Sequence, residues 1–302
     1  MCSIRIAIIG AGKVGTVLAR LLTEKGYSVT EVMSRSSDSA TRLATLIGAR
    51  MVTDARNLTA DVILVTVSDR AIGDIASSLA VPLFKGRIVL HTSGAMGREV
   101  LFPAAEAGLH TGSIHPLFSF ARYDLSADDL CGTYYAVDGD EIALPVAMEL
   151  AHALGGQPFY LSADKRALYH AGAVVASNYL VTLLTVAARQ LSLCGLTEDD
   201  ALRALMPLAV GTLNNLSAVG KNALTGPIVR GDIPTIDKHL HTLGENCPDT
   251  LALYRLLGTT TAEMATANGQ LAPETKTISH QLLRRDIHRT NAFPNWRSPR
   301  KK

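Results

Sequence analysis

Residues 165 to 181, KRALYHAGAVVASNYLV, set Lys165, Tyr169, His170, Ser177 and Asn178 into the most apolar stretch of a 302-residue chain. A Lys and a His beside a carbonyl or imine carbon have a definite task when a hydride arrives there. The heteroatom gains charge or needs a proton, and a positioned ammonium or imidazolium can supply both remedies. Desolvation would bring either pKa toward neutrality. Projected at roughly 100° per residue, Ala173, Val174, Ser177, Asn178 and Val181 share one stripe with His170. A mixed polar stripe on an otherwise apolar helix predicts a wall facing a cavity, with Lys165 reaching it from the first turn. The alternative is a packed core in which His170 and Asn178 bond to helix carbonyls.

Other candidates lie upstream and downstream. Ser68-Asp69, His91-Thr92-Ser93-Gly94 and GSIHPLFSF, which carries His115, each follow an apolar strand-like run. Ligands of parallel sheets bind beyond the carboxyl ends of strands, so these residues are expected along one crevice, Ser68 and Ser93 toward a cofactor and His115 toward a substrate. Either His could instead cap a strand end. Arg230, in TGPIVRGD, could grip a substrate carboxylate in a two-pronged contact, or tie its loop together with Asp232.

These residues need a frame, and the first 160 residues alternate strand and helix patterns. IRIAIIG leads into GAGKVG, after which Val14, Val17, Leu18, Leu21 and Leu22 recur at helical spacing. Gly10 permits a tight turn, Gly12 lets backbone approach a pyrophosphate, and Gly15 allows a helix to pack closely on a strand. The N–H groups at the helix start, around Lys13 and Val14, can then meet phosphate oxygens. At the end of the second strand, Ser34, Arg35 and Ser36 stand where NAD-binding domains place a carboxylate. A cation with two hydroxyls suits a 2′-phosphate, so the cofactor expected is NADP(H). Glu31 is the weaker candidate for a ribose contact.

The fold class expected is α/β: an N-terminal doubly wound Rossmann domain over residues 1–161 and a C-terminal all-α domain over 162–283 for substrate and dimer contacts. Residues 163 to 193 read as one helix, and Pro207 as a kink in the next. Residues 284–302 carry seven Lys or Arg against Asp286, which leaves the rest of the chain at about −4 from a net charge of +2. With Pro294 and Pro299 they read as a solvated tail, so no nucleic-acid partner is expected. Four dispersed cysteines without ligand spacing imply a reducing compartment and no metal. Ser177, Asn178, Thr182 and Thr185 interrupt the one long apolar run, so no membrane span is expected. A strand beginning at residue 4 leaves no room for a targeting segment, and a cytoplasmic protein is expected.

GAGKVG, HTSGA at 91–95, GSIHPLFSF at 112–120, KRALYHAGAVVASNYL at 165–180 and LTGPIVRGD at 224–232 occur in an order that resembles the Rossmann-like plus DUF2520 family. That family is similar in architecture to 6-phosphogluconate dehydrogenase-like reductases, including ketopantoate reductase and pyrroline-5-carboxylate reductase. The resemblance implies a small-molecule substrate, a cleft between domains, a homodimer formed through helices, and a catalytic Lys at the position of Lys165. Related reductases have Asn four residues later, where this chain has Tyr169; His170 or Asn178 would then take over that role. The activity implied is NADPH-dependent reduction of a small carboxylate-bearing carbonyl compound, with ketopantoate the leading substrate. An imine reductase and a non-catalytic NADPH-binding regulator are the alternatives.

Overall fold

Aliphatic strands that alternate with amphipathic helices are covered on both faces when the helices pack on both sides of one sheet. The computed structural model, which describes residues 4–273 together with 275, 277 and 283, has this arrangement. In chain order come β1 (Arg5–Ile9), α1 (Lys13–Glu24), β2 (Ser28–Met33), α2 (Ser37–Ile47), β3 (Arg50–Met51), β4 (Val62–Val65), α3 (Asp69–Leu79), β5 (Ile88–His91) and α4 (Phe102–Glu106). β6 (His110–Pro116), α5 (Ala127–Leu130), β7 (Tyr134–Gly139), α6 (Ala143–Ala153) and β8 (Gln157–Tyr160) complete the sheet. Its eight strands run in the order β3-β2-β1-β4-β5-β6-β7-β8. All neighbours are parallel except β6 and β7. The winding reverses between β1 and β4, which places a ligand crevice beyond the end of β1.

Strand periodicity of two splits the core across the sheet. Ile6, Ile8, Leu90, Ile114 and Val137 pack with α1, α2 and α6 on one face. Ala7, Ile9, Ile63, Val65 and Val89 pack with α3 and α4 on the other. On this second face the side chains turn polar toward β6 and β7. Register aligns Val65 with His91, His91 with Ser113, and Ser113 with Asp138. One row further along, His115 aligns with Ala136 and Ala136 with Phe159.

The helices that follow are α7 (Arg166–Ala176), α8 (Asn178–Ser192), α9 (Glu198–Val219), α10 (Ile233–Asn246) and α11 (Pro248–Ala267). The single helix expected over 163–193 is thus two, preceded by a short 3-10 turn. Ser177, at φ −112° and ψ −68°, departs from helical dihedrals and separates α7 from α8. Val181 lies past this break and is exposed, so the stripe read from the sequence ends at Asn178. α9 continues through Pro207.

The chain divides into two compact units, residues 1–179 and 180–302. The last strand ends at Tyr160, as the change of period suggests, yet α7 belongs with the sheet. In the second unit, Arg189 on α8 pairs with Asp249 at 2.7 Å, and Gln190 donates to Thr250 at 3.1 Å on α11. Ala163–Ser192 is long and apolar enough to cross a membrane by length and composition alone. It is nevertheless two helices, the first of them anchored to the sheet through a buried Arg166. The basic segment 284–302 lies outside the described residues, as does Cys2.

Candidate active site

The loop between β1 and α1 is built around missing Cβ atoms. Gly10 has φ +115°, and a Cβ there would meet the Thr66 backbone at 2.8 Å. At Gly15 a Cβ would fall 1.9 Å from the Gly10 carbonyl oxygen. Thr66, just past β4, donates its hydroxyl to that same carbonyl at 2.7 Å, so it buttresses the turn from below. Gly12 has open space around its Cα. It caps α1 with no side-chain acceptor, and the first turn holds no acidic residue. α2, by contrast, is capped by Ser36 and carries Asp38. Unclaimed N–H groups at the positive end of a helix, with open space in front of them, fit the pyrophosphate of a dinucleotide.

Beyond β2, Arg35 is exposed, Ser34 half-buried, and Ser36 accepts the Ser39 N–H as the cap of α2. Glu31 is withdrawn from any ligand. It is buried, accepting from the Thr59 N–H at 2.8 Å, the Thr59 hydroxyl at 2.9 Å and the Ala60 N–H at 3.1 Å, and pairing with Arg50 at 2.5 Å. Burial alone would raise its pKa, but these donors hold it below the usual carboxylate value. The end of β2 therefore presents a cation and hydroxyls, which fits a 2′-phosphate.

α7 lies over the polar end of the second sheet face. Arg166, 1% exposed, donates to the Ser93 carbonyl at 3.3 Å and to the Ser113 hydroxyl. Burial lowers its pKa, against the opposing pull of Asp138 and Glu99. One turn on, the Tyr169 hydroxyl lies 2.7 Å from His115 Nδ1, the two rings edge to face. Phe159 packs against the other side of Tyr169. The His115 ring also presses on Gly94, where a Cβ would stand 2.6 Å from Nε2. Burial first, then the neighbouring His170 and Arg166, push the His115 pKa down to about 4. Burial raises that of Tyr169 to about 12. Both are neutral at pH 7.

A cavity of about 490 Å³ opens beside this pair, lined by His115, Leu117, Phe118, Ser119, Tyr169, His170, Gly172 and Ala173, with Val174, Ala176, Ser177 and Asn178 completing its wall. The stripe read from the sequence, from His170 to Asn178, thus does face a cavity. Lys165 does not line it: the residue sits in the 3-10 turn before α7, two-thirds exposed, with Nζ 3.2 Å from Asp164. Ser93 is buried, its hydroxyl accepting from the Ala95 and Met96 N–H groups, while Ser68 is exposed at the start of α3. Lys13 is exposed and Val14 half-buried at the start of α1. His91 is structural. It is fully buried, receives the Ser93 N–H at Nδ1 (3.2 Å) and donates from Nε2 to the Gly97 carbonyl (3.0 Å). Arg230 is exposed in the second unit, where Asp232 caps α10 through Thr235.

Thr66, Ser113, Asp138 and Arg166 are the contributors that motif reading does not single out. A signal for one group was present: Thr111, Ser113 and His115 alternate along β6 and so share a face. Nothing local marks Arg166 as the buried member of the Lys165-Arg166 pair.

Residues 1–116 match the Rossmann-like domain family, and residues 133–261 match the domain of unknown function DUF2520. The chain is a Rossmann-like plus DUF2520 protein. A comparison with curated proteins finds no match. Among solved structures, this DUF2520 protein is similar to a candidate NADP oxidoreductase from Bacteroides fragilis, at 24% identity and a TM-score of 0.71, over 86% of this chain and 98% of the other. It is similar to a Thermotoga maritima protein at 28% identity and a TM-score of 0.70, over 87% and 99%. Pyrroline-5-carboxylate reductase from Streptococcus pyogenes shares the fold at 15% identity and a TM-score of 0.59, over 93% and 99%.

Proposed function

We propose that the protein is an NADPH-dependent reductase of a small carbonyl or imine compound. The observation that carries this reading is one unit holding both an uncapped, glycine-cleared helix N-terminus beyond β1 and a cavity walled by His, Tyr, Ser and Asn side chains beyond β6. The neighbours described as an NADP oxidoreductase, and as a reductive aminase from Aspergillus terreus in complex with NADPH, support it. NADPH, when bound, supplies the hydride. The α1 N–H groups at Gly12, Lys13 and Val14 would hold its pyrophosphate, and Arg35 with Ser34 its 2′-phosphate. His170, Ser177 and Asn178 would orient the substrate from α7 and the start of α8.

For the substrate, the family resemblance favours ketopantoate. The cavity lining favours a second reading, since it presents His, Tyr, Ser and Asn side chains and no Lys, Arg, Asp or Glu among the described residues. A cyclic imine without a carboxylate is that alternative. NADPH oxidation followed across small 2-oxo acids and cyclic imines separates the two. Tight NADPH binding with no oxidation on any of them would replace both with a non-catalytic cofactor binder. The reading includes a cytoplasmic location, expected from the sequence alone, and a homodimer. The dimer's support is α9, where Ala201 is the only buried residue while Leu202, Met206, Leu208, Val210, Leu213, Leu216 and Val219 are exposed.

A further inference from the structure

We propose that Tyr169 and His115 form a proton relay, in which His115 Nε2 protonates the substrate heteroatom while Nδ1 is resupplied by the Tyr169 hydroxyl. The relay rests on the reductase reading above and names the group that acts within it. Its geometry is specific. Tyr169 Oη and His115 Nδ1 are 2.7 Å apart, and both side chains line the cavity. The ring planes meet at 89°. Phe159 backs the phenol, and Gly94 leaves no side chain beside the ring near Nε2.

The protonation states demand two groups rather than one. His115 faces His170, Tyr169 and Arg166 on α7, Asp69 at the start of α3 and His91 on β5. With a pKa near 4, only about one molecule in a thousand carries an imidazolium at pH 7. A neutral imidazole that gave up its Nε2 proton alone would become an imidazolate, a very poor outcome near neutrality. Receiving a proton at Nδ1 in the same event avoids both charged forms.

The steps balance. As a hydride bonds to the substrate carbon, the C=X π pair moves to X, which takes the proton from Nε2 as that N–H bond breaks. The O–H bond of Tyr169 breaks as Nδ1 gains its proton, so His115 ends as the other neutral tautomer. Tyr169 ends as a phenolate and regains a proton from water, and one solvent proton is consumed per turnover. Arg166 acts through Tyr169 as a positioning residue: its buried cation favours the phenolate, and its bonds to Ser93 and Ser113 set the height of α7 over β6.

Three measurements on the full chain test this. Nitrogen-15 NMR of the cofactor-free protein is expected to show His115 protonated at Nε2 and not at Nδ1, with Tyr169→Phe shifting the tautomer balance. Single-turnover reduction is expected to slow roughly 100- to 10,000-fold in Tyr169→Phe and in His115→Gln. The double variant should be no slower than the worse single one, because the two act as a unit. NADPH affinity should stay within about twofold, since neither residue is assigned to the cofactor. A proton on Nδ1 in the free protein, a wild-type rate in Tyr169→Phe, or losses that multiply in the double variant would overturn the relay. Failure of the reductase reading looks different, because wild-type protein would then bind no NADPH, or bind it and oxidise it on none of the 2-oxo acids and cyclic imines.

Discussion

Alanine at Gly12 and alanine at Gly15 each add one methyl group, yet they are expected to fail in opposite ways. Gly12 is extended, at φ −81° and ψ −171°, a conformation alanine adopts freely, and a Cβ there meets nothing within 4 Å. Exchanging Gly for Ala at a helix cap costs the fold about 1 kcal/mol or less. The new methyl would, however, occupy the space in front of the α1 N–H groups. Losing one charge-assisted contact to a phosphate costs roughly 1.5–3 kcal/mol, or about 10- to 150-fold in affinity. At Gly15 the Cβ would stand 1.9 Å from the Gly10 carbonyl oxygen and 2.4 Å from Thr66 Oγ1. Backbone must move there. Overpacking costs about 1–3 kcal/mol, and loosening the Thr66 hydrogen bond adds about 0.5–1.5. Taking roughly 2–4 kcal/mol in total at about 2–4 °C per kcal/mol, Tm should fall by roughly 5–15 °C. Thermal unfolding without cofactor and an NADPH fluorescence titration separate the two effects. Gly12→Ala matching Gly15→Ala in Tm, or binding NADPH as tightly as wild type, would refute the argument.

Arg35→Ala is expected to weaken NADPH by about 10- to 100-fold and NADH by less than about threefold, because only the former presents a 2′-phosphate; equal losses in titrations of both would remove Arg35 from the cofactor site. His91 and His115 are held near a pKa of 4, below the 6.5 of an unfolded chain, so the unfolded state binds more protons between those values. Their stabilisation is complete above pH 6.5 and is lost as pH falls toward 4, by up to about 1.4 kcal/mol per pH unit for each; Tm measured from pH 8 to 4 should show this slope, shallower in His115→Gln. Arg166 is a buried cation whose Nε has no hydrogen-bond partner, so Arg166→Met should leave Tm unchanged or raise it while slowing turnover. A fall in Tm above about 3 kcal/mol in equivalent would show instead that the cation holds the fold together.

Local periodicity made a large part of this protein legible. GAGKVG between an aliphatic run and an amphipathic helix specified the glycine turn proposed to hold the cofactor, because tight turns and close approach depend on glycine at particular steps of the chain. Ser34-Arg35-Ser36 against Glu31 was also readable, although only the structure shows that Glu31 is consumed by Thr59, Ala60 and Arg50. Helical spacing brought His170, Ala173, Val174, Ser177 and Asn178 to one wall, and they line one cavity.

Tertiary structure decided what those walls face. Lys165 and Arg166 are adjacent cations in the sequence, yet one points to solvent beside Asp164 and the other is buried on Ser93 and Ser113. One residue of helix turns a side chain by roughly 100°, so the choice depends on where α7 lands on the sheet. The same landing joins Tyr169 to His115 across 54 residues of chain. The sequence by itself determined the glycine turn and the face that each polar residue shares, since both follow from backbone conformation over a few residues. Which of those faces meet was decided only by the packing of α7 on β6, because contacts between distant segments leave no periodic trace in either one.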